Sequence, residues 1–339
     1  MTASYYEGRL GELEDIFGAE KVSIVAGGLD VDGRFLPVVD DVIVALDADR
    51  LPAAVRTRLE RPPDPTAGDT EVPFAADVQR SFGEEWMTHP DILPEHQAEF
   101  DAYFDLVALD SLAGLRVADL GCGIGRWSHF LAPRCAGIVL VDYSEAVFVA
   151  RRNLAGAPNA IFVMADLLDL PFRPGAFDLA VCLGVLHHLP TDALDALRRL
   201  APLADRHLTY LYYALDNRPA YFRWMLAGVT ATRRGLTRIR SPRARAAVTT
   251  AITAGAYLPL SRAGAVLAPA RLARYVPLVE TYRGKSFTRL RQDAYDRFFT
   301  SIEQRFTRDQ IRGLSDTFDQ VTISDGLPYW HFLCEGGPR

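Results

Sequence analysis

The residues best suited to holding a ligand form a glycine-rich run, Asp119-Leu-Gly-Cys-Gly-Ile-Gly125, between an apolar run and a helical stretch. Glycines in such a turn let the backbone approach a ligand closely, and the start of the next helix offers unpaired N–H groups to a carboxylate or a phosphate. The dinucleotide-binding fingerprint is G-x-G-x-x-G. Here the third glycine comes one residue earlier and Arg126 follows it, which disfavours binding of NAD or FAD.

Three aspartates follow three apolar runs: Asp119 comes after LRVA, Asp142 ends GIVLVD and Asp166 ends IFVMAD. If these runs are parallel strands, their carboxyl ends share the rim where open α/β sheets bind ligands. A carboxylate there can accept hydrogen bonds from the hydroxyls of a ribose or from an exocyclic amino group. The pattern favours a nucleoside with an amino-acid-like tail, and the alternative is that each aspartate caps a helix.

The elements that must position these residues begin near Leu115, where short apolar runs alternate with helical stretches. Runs without polar alternation indicate strands buried on both faces, and helices between them make the sheet parallel. The chain ends in two strand-like runs, DQVTISD and PYWHFLCE, which we expect to form an antiparallel pair at the sheet edge. The predicted fold class is therefore α/β, a doubly wound, mostly parallel sheet with an antiparallel C-terminal edge strand.

The rest of the chain is organised around this sheet. Residues 1–60 contain VSIVAGGLDVDGRFLPVVDDVIVAL, with turn signals at Gly27-Gly28 and Asp32-Gly33. Residues 61–80 hold four prolines and small polar residues, the composition of a linker. We predict a small β-rich N-terminal unit at 1–60, a linker at 61–80, a ligand-binding domain at 81–216 and 280–339, and a basic helical insertion at 217–279 after the fifth strand.

Four segments, VADLGCGIGRWSHFLA, VLVDYSEAVFVARRNL, FVMADLLDLPF and FDLAVCLGVLHHL, resemble successive motifs of the Rossmann-like S-adenosylmethionine-dependent methyltransferases. The pattern D/E-x-G-x-G-x-G is matched in full, and the resemblance covers roughly residues 81–216. It implies S-adenosylmethionine as cofactor and S-adenosylhomocysteine as product. The cofactor-binding residues that it implies are Asp119, Gly121, Cys122, Gly123, Gly125, Asp142, Tyr143, Asp166, Leu167 and Leu183.

The resemblance also implies individual roles. Gly121 and Gly123 would pass under the methionine part of the cofactor, and Asp142 would hold the ribose hydroxyls. Asp166 and the Leu167 amide would read the adenine, and Leu183 would line the methyl-transfer side.

A narrower resemblance lies upstream. SFGEEW and the helical HQAEFDAYFDLVALDSL look like the approach segment of a bacterial small-molecule subgroup with a short β-rich N-terminal unit. In some relatives that unit is a zinc ribbon that ends in a stretch similar to GRFLPVVDDVIVAL. No cysteine precedes Cys122 in this chain, so we expect no metal, and a structural role or a partner contact for the unit.

Methyl transfer is an in-line displacement in which the protein aligns the acceptor and sometimes removes a proton. His187 and His188 directly follow the fourth strand of the alternation, so either is a candidate general base, and the alternative for each is packing. Aromatic residues are candidates for the wall of the acceptor pocket: Trp86, Tyr210, Tyr212, Tyr213, Tyr221, Phe222, Trp224 and Tyr329-Trp330-His331.

The formal net charge of −6 hides an uneven distribution, because residues 217–279 contain eleven Arg and no Asp or Glu, which leaves −17 for the remainder. This insertion could form a lid that binds an anionic or aromatic small-molecule acceptor, or a homodimer interface. The simpler alternative is that the insertion is a basic subdomain packed against the acidic remainder of the protein. Nucleic acid is disfavoured, since proteins that bind it without sequence preference are usually basic overall.

Composition sets the outer limits. With 339 residues, of which 49% are hydrophobic and 24% charged, the chain has the make-up of an ordinary globular protein. The four cysteines form no CxxC pair, and we find neither a signal peptide nor a transmembrane run. We therefore predict a cytoplasmic enzyme that methylates a small molecule in bacterial secondary or specialised metabolism. The alternatives are a methyltransferase acting on RNA or protein through the basic insertion, a non-catalytic module that binds S-adenosylmethionine, and an enzyme that uses this ligand for another reaction.

Overall fold

A computed structural model describes residues 3–60, 75–216, 218–239, 241–267, 279–282 and 284–338. Most of the predicted linker, residues 61–74, and part of the predicted insertion, residues 268–278, lie outside this range.

The described residues contain one eleven-stranded sheet, in the order β1-β2-β3-β4-β7-β6-β5-β8-β9-β11-β10. Its centre, from β4 to β9, is parallel, and the strands on either side are antiparallel. The α/β fold and the antiparallel C-terminal edge are therefore confirmed. The strands are β1 (Val22–Val25), β2 (Gly28–Val31), β3 (Arg34–Val39), β4 (Val42–Val44), β5 (Arg116–Leu120), β6 (Gly137–Asp142), β7 (Ala160–Met164), β8 (Phe177–Leu183), β9 (Ala204–Tyr210), β10 (Gln320–Ile323) and β11 (His331–Glu335).

Helices cover both faces of the sheet and the rim at the carboxyl ends of the parallel strands. They are α1 (Leu10–Phe17), α2 (Ala53–Arg58), α3 (Ala76–Thr88), α4 (His96–Tyr103), α5 (Ser128–Leu131), α6 (Ala146–Asn153), α7 (Ala193–Leu200), α8 (Ala220–Leu236), α9 (Pro242–Ile252), α10 (Leu258–Leu267), α11 (Val279–Tyr282), α12 (Phe287–Phe299) and α13 (Arg308–Arg312).

The central strands read as uninterrupted apolar runs because the sheet is buried on both sides. In β6, Ile138 and Leu140 pack into one hydrophobic cluster, while Val139 and Val141 pack into the other. All six residues of β6 are buried. Successive strand side chains point to opposite faces, so two cores, one under each layer of helices, fix the position of the strand ends.

The N-terminal strands extend this sheet. The turn at Asp32-Gly33 has positive φ at both residues, 49° and 86°, as a two-residue hairpin of the I′ type requires. β4 then pairs in parallel with β7, with Ile43 opposite Val163. The N-terminal strands and the central sheet therefore share one hydrogen-bonded array, and the division of the chain into domains stays a prediction.

The insertion is helical where it is described and packs above the carboxyl ends of the strands. Helices α8 and α9 and a π-helical turn, Thr253–Tyr257, pack against α12, and α10 packs against the π-helical turn and α11. Their apolar side chains form a third hydrophobic cluster with α11 and α12, centred on Tyr257, Tyr282, Leu290, Ala294, Phe298 and Phe299. The insertion thus covers the rim of the sheet where the glycine-rich run lies.

Candidate functional site

The glycine-rich loop has a backbone that only glycine adopts easily. Gly121, Gly123 and Gly125 have φ values of 78°, 53° and 74°. A Cβ at Gly121 would lie 2.4 Å from a Val185 methyl group, and one at Gly125 would lie 2.6 Å from Leu154. The loop is fastened to β6, since the N–H groups of both Gly121 and Cys122 donate to the Val141 carbonyl. Close packing below the loop therefore leaves its upper surface free to approach a ligand.

Asp119 is a structural anchor of the loop. Its side chain is buried and accepts a hydrogen bond from Ser128 Oγ at 2.6 Å, which ties the end of β5 to the start of α5. Burial raises the pKa of Asp119 to about 7 even though Ser128 lowers it, and the nearby Asp142 raises it further. Neither Asp119 nor Gly125 is part of the cavity wall described below, so both act through the shape of the loop.

Asp142 stands at the rim with its carboxylate fixed from two sides. Oδ2 accepts the Gly123 N–H at 2.9 Å, while Oδ1 accepts both the N–H and the hydroxyl of Ser144. Burial raises its pKa, and these hydrogen bonds oppose the rise. Because Asp142 lines the cavity, a ligand there would meet a carboxylate whose orientation is already fixed.

Asp166 also lies on the cavity wall, where sequence reasoning missed its partner. Oδ1 accepts the Leu168 N–H at 3.0 Å, and Oδ2 pairs with Arg50 Nη1 at 3.1 Å. Both side chains of this ion pair are buried. Arg50 comes from the N-terminal unit, 116 residues away in sequence, and nothing in the local sequence around Arg50 marks it as a site residue.

A cavity of about 760 Å³ begins at these residues and continues under the insertion. Ligand pockets have volumes of about 300–1,000 Å³. One end is lined by the sequence-predicted residues Gly121, Cys122, Gly123, Asp142, Tyr143, Asp166, Leu167 and Leu183, together with Trp86, Arg126 and Trp127. The other end is lined by His188, Tyr210, Tyr212, Tyr213 and residues of α8, the π-helical turn, α11 and α12. The cofactor candidates and the acceptor candidates therefore face one continuous space.

Arg126 has an unusual position at the first end. Its guanidinium lies over the rings of Trp86 and Trp127, 4.9 and 5.2 Å from their centroids. Within the described residues Arg126 makes neither a hydrogen bond nor an ion pair, although it is buried, with only 9% of its surface exposed. Burial, followed by the neighbouring Arg289, lowers its pKa. Glu99 and Asp293 act on this charge without making an ion pair with it, so an anionic group of a ligand could bind directly beside it.

His187 and His188 lie together in a 3₁₀ turn after β8 but have different surroundings. His187 is fully buried, stacks on Tyr212 with ring centroids 3.9 Å apart, and is absent from the cavity wall formed by the described residues. Burial, then His188 and Arg305, lowers its pKa well below the usual value. The position of His187 favours the packing alternative.

His188 lines the cavity. Its Nδ1 is 2.7 Å from the Ile302 carbonyl oxygen, and because a carbonyl can only accept, Nδ1 carries the ring proton. Nε2 then has a free lone pair and lies 3.7 Å from Asp296 Oδ1. Asp296 is held by the Tyr212 hydroxyl, which donates to Oδ2 at 2.6 Å. This arrangement can accept a proton from a ligand and stabilise the resulting imidazolium.

The aromatic candidates divide between the cavity, the surface and the core. Trp86, Tyr210, Tyr212, Tyr213, Phe222 and Tyr329 line the cavity. Tyr221 and Trp224 face outward, with Trp224 80% exposed. Trp330 and His331 are buried and absent from the described cavity wall, and His331 Nε2 lies 2.6 Å from an Asp105 carboxylate oxygen. Those four residues are not pocket walls.

The basic insertion is in part docked on acidic residues of the body. Arg233 of α8 pairs with Glu303 at 2.7 Å, and Arg245 of α9 lies 3.7 Å from Glu84 of α3. Arg223, Arg234 and Arg238 are exposed. Some of the positive charge is thus balanced inside the molecule, and some faces solvent.

Two kinds of feature were not found in the described part of the chain. It contains no group of three or more His, Cys, Asp or Glu side chains arranged to hold a metal ion. No helix there combines the length and the apolar character that crossing a membrane requires.

Comparison with known proteins shows what the central part of the chain is similar to. Residues 117–205 match a family model described as a methyltransferase domain. The chain is 38% identical over 125 residues to the magnesium-protoporphyrin O-methyltransferase of Synechocystis sp., covering 35% of this chain and 53% of that protein. It is 33% identical over 121 residues to a ubiquinone biosynthesis O-methyltransferase of Xanthomonas campestris, covering 35% and 50%. The chain spans about half the length of these curated relatives.

A solved structure, the magnesium protoporphyrin IX methyltransferase of Synechocystis PCC 6803 with bound SAH, is 20% identical and aligns over 80% of this chain and 90% of that one, with a TM-score of 0.37. The sequence match and the motif geometry lead to one conclusion. Residues 117–205 of this chain match a methyltransferase domain, and their motifs resemble those of the Rossmann-like, S-adenosylmethionine-dependent methyltransferases.

Proposed function

We propose that this chain transfers a methyl group from S-adenosylmethionine to a small-molecule acceptor held under the insertion. The observation that carries the proposal is the continuous cavity, which joins the glycine-rich loop and Asp142 at one end to His188 and a set of tyrosines at the other. When bound, S-adenosylmethionine supplies an electrophilic methyl group. The protein's part is to hold both reactants in line, exclude water and take up a proton.

The residues at the first end fit this cofactor. The loop from Gly121 to Gly123 leaves room for the methionine portion, and the unpaired guanidinium of Arg126 suits its carboxylate. Asp142 is oriented to accept from ribose hydroxyls. One oxygen of Asp166 accepts the Leu168 N–H and the other pairs with Arg50. The amino group of an adenine would therefore donate to a carboxylate that Arg50 already holds in position.

His188 is the general base of this proposal, and His187 is assigned to packing. A proton leaving an acceptor hydroxyl can go to His188 Nε2, because Nδ1–H is held by the Ile302 carbonyl. The imidazolium formed would lie 3.7 Å from the Asp296 carboxylate. This chemistry suits O-methylation, the reaction in the names of the Synechocystis and Xanthomonas relatives.

The tyrosine-lined second end favours an acceptor with an aromatic ring, since flat rings pack well against aromatic side chains. Placement in the cytoplasm, use in bacterial secondary metabolism and assembly into a homodimer remain part of the proposal. The second candidate, methylation of RNA or protein, is favoured by the exposed arginines of α8 and its neighbours. It predicts binding to polyanions that weakens steeply with salt.

The test is calorimetric titration of the folded protein with S-adenosylmethionine, S-adenosylhomocysteine and, as control, NADH. We expect the two sulfur nucleosides to bind and NADH not to. Binding should be followed by a screen of phenolic acceptors for methylated product by mass spectrometry. Binding of NADH, or failure of S-adenosylhomocysteine to bind a protein shown to be folded, would overturn the proposal.

A further inference from the structure

The second end of the cavity holds polar groups that have no partner in the described structure. Arg297 Nε, the Tyr257 hydroxyl and Gln292 Oε1 are all inaccessible to solvent and without a hydrogen bond. All three residues line the cavity. Buried polar groups in proteins are nearly always paired, so a cluster of unpaired ones in one cavity calls for a ligand.

Of the three, Arg297 costs the most free energy to leave without a partner, because its side chain is charged. It lies on α12, one turn after Asp293 and next to Asp296. Asp293 is taken by Arg289, and Asp296 accepts hydrogen bonds from Tyr212 and Thr300. The acids of its own helix are therefore used by other residues, and Arg297 makes no ion pair with any described residue.

The wider surroundings leave an excess of positive charge. Glu303 pairs with Arg233 and with Arg305, each at 2.7 Å. Burial alone would raise the pKa of Glu303, but Arg305, Arg233 and Arg297 together lower it. Three guanidinium groups thus share one carboxylate, and Arg297 is the one without direct contact.

Tyr257 supplies a second donor. It ends the π-helical turn Thr253–Tyr257 of the insertion, and its ring lies 5.3 Å from that of Tyr282. Single π-turns in helices occur frequently at functional sites. Burial raises the pKa of Tyr257 to about 12, although Arg297 lowers it. The hydroxyl therefore keeps its proton at neutral pH and can donate it to an acceptor atom.

We propose that Arg297 and Tyr257 form an anion subsite that binds a carboxylate on the methyl acceptor. A guanidinium presents two parallel N–H donors that match the two oxygens of a carboxylate, and the Tyr257 hydroxyl can add a third hydrogen bond. The subsite rests on the proposed function, since it assumes that the acceptor occupies this end of the cavity. It makes the acceptor a phenol that also carries a carboxylate, rather than a neutral phenol.

The first test needs no ligand. Arg297→Met removes a partly buried charge that has no ion-pair partner among the described residues, and it keeps most of the side-chain volume, so the ligand-free variant should melt at a temperature equal to or above that of the wild type. The exposed Arg234→Met is the matched control and should leave the melting temperature unchanged. A marked fall for Arg297→Met alone would show that Arg297 holds the fold together, and it would overturn the subsite.

The second test uses benzoate as probe and the neutral benzamide as its isostere, with the protein saturated in S-adenosylhomocysteine. We expect benzoate to raise the melting temperature of the wild type and of Arg234→Met, and benzamide to have little effect. Arg297→Met and Tyr257→Phe should each weaken benzoate binding, the former by about tenfold or more. Tyr257→Phe keeps the ring, so it tests the hydroxyl alone.

The outcomes separate the two proposals. Equal effects of benzoate and benzamide on a protein that binds S-adenosylhomocysteine would overturn the subsite and leave the methyltransferase proposal standing. Failure of S-adenosylhomocysteine to bind would overturn the proposed function. Once an acceptor is known, Arg297→Met should raise its KM much more than it lowers kcat.

Discussion

Arg50 and Asp166 form a buried ion pair, with Nη1 and Oδ2 3.1 Å apart, that joins the N-terminal unit to the wall of the cofactor end of the cavity. Gln79 of α3 strengthens the junction, because its amide donates to the carbonyl oxygens of Arg50 and Tyr143. Three distant parts of the chain therefore meet at the place where the adenine of the cofactor is expected.

Replacing Arg50 should damage both stability and cofactor binding. Burial raises the pKa of Asp166, and Arg50 is among the groups that hold it down. Arg50→Met leaves the Asp166 carboxylate buried without its partner, which we expect to lower the free energy of unfolding by about 3 kcal/mol. Chemical denaturation would measure the loss, and calorimetry would show weaker binding of S-adenosylhomocysteine.

The control for that experiment is Arg58→Met, which removes an exposed arginine paired with Asp40 and should change stability by less than about 0.5 kcal/mol. The double variant Arg50→Met/Asp166→Asn should recover part of the loss, since no uncompensated charge remains. Equal effects of the Arg50 and Arg58 substitutions would show that the buried pair contributes nothing.

Asp142 offers a direct test of ribose recognition. Asp142→Asn removes the charge and turns one of the two acceptor oxygens into an amide NH₂ group, and it should weaken binding of S-adenosylhomocysteine by roughly 1.5–3 kcal/mol, or about 10- to 150-fold, without unfolding the protein. Asp142→Ala removes both oxygens, which accept the Gly123 and Ser144 N–H groups, so it should cost more stability than Asp142→Asn. Asp195→Asn, at an exposed acid of α7, is the control. Unchanged affinity in Asp142→Asn would contradict the ribose assignment.

The adjacent histidines form a natural pair of variants. His188→Gln should lower kcat by about 10²- to 10⁴-fold, the range for loss of a general base, with S-adenosylhomocysteine affinity retained. His187→Phe keeps a flat ring on Tyr212 and removes two ring nitrogens that have no partner. The melting temperature and kcat of this variant should therefore equal those of the wild type. The two variants and the wild type would be compared by measuring initial rates between about pH 5.5 and 8.5 with an identified acceptor. Comparable losses of kcat in both variants would contradict the assignment of the base.

The sequence was most informative about the central sheet and the cofactor loop, for a physical reason. Strands buried on both faces must be apolar throughout, and a loop with three positive φ angles must contain glycines at those positions. Both requirements act on neighbouring residues, so they leave a local pattern. Asp119, Asp142 and Asp166 could therefore be placed at one rim of the sheet from the sequence alone.

The sequence alone does not show which distant residues come into contact, or in which directions two adjacent side chains point. The parallel pairing of Ile43 with Val163 has no local signature, so the N-terminal strands could not be joined to the central sheet. Arg50 was missed for the same reason. His187 and His188 are equivalent by position, and only the 3₁₀ turn decides that the second of them faces the cavity.

Arg233 and Arg234 are neighbours on α8 and allow the docking of the insertion to be measured. Arg233 is 8% exposed and pairs with Glu303, whereas Arg234 is exposed. Arg233→Met should lower the free energy of unfolding by roughly 2–3 kcal/mol, less than for a simple buried pair because Glu303 keeps Arg305. Arg234→Met should stay within about 0.5 kcal/mol of the wild type. If the two variants were equally stable, the Arg233–Glu303 pair would not hold the insertion in place.

Asp119 should make stability fall as pH rises toward neutrality. Its pKa in the folded protein is about 7, raised mainly by burial, whereas an unfolded aspartate has a pKa of about 3.9. Between about pH 4 and pH 7 the folded state therefore holds a proton that the unfolded state has lost, and the free energy of unfolding decreases with pH. The contribution of this one group is at most about 4 kcal/mol across that window.

Asp119→Asn removes this titration and can still accept the Ser128 hydroxyl through its amide oxygen. The variant should therefore gain stability relative to the wild type as the pH is raised from about 4.5 to about 7.5, and the two proteins should be most alike at the acid end. Denaturation at several pH values would give the difference, in which contributions of all other titrating groups cancel. Ser128→Ala provides the opposite case: it removes a hydrogen bond that lowers the pKa of Asp119, so the decrease in stability should continue to higher pH than in the wild type. A stability difference between Asp119→Asn and the wild type that does not vary with pH would show that Asp119 is ionised in the folded protein throughout this range.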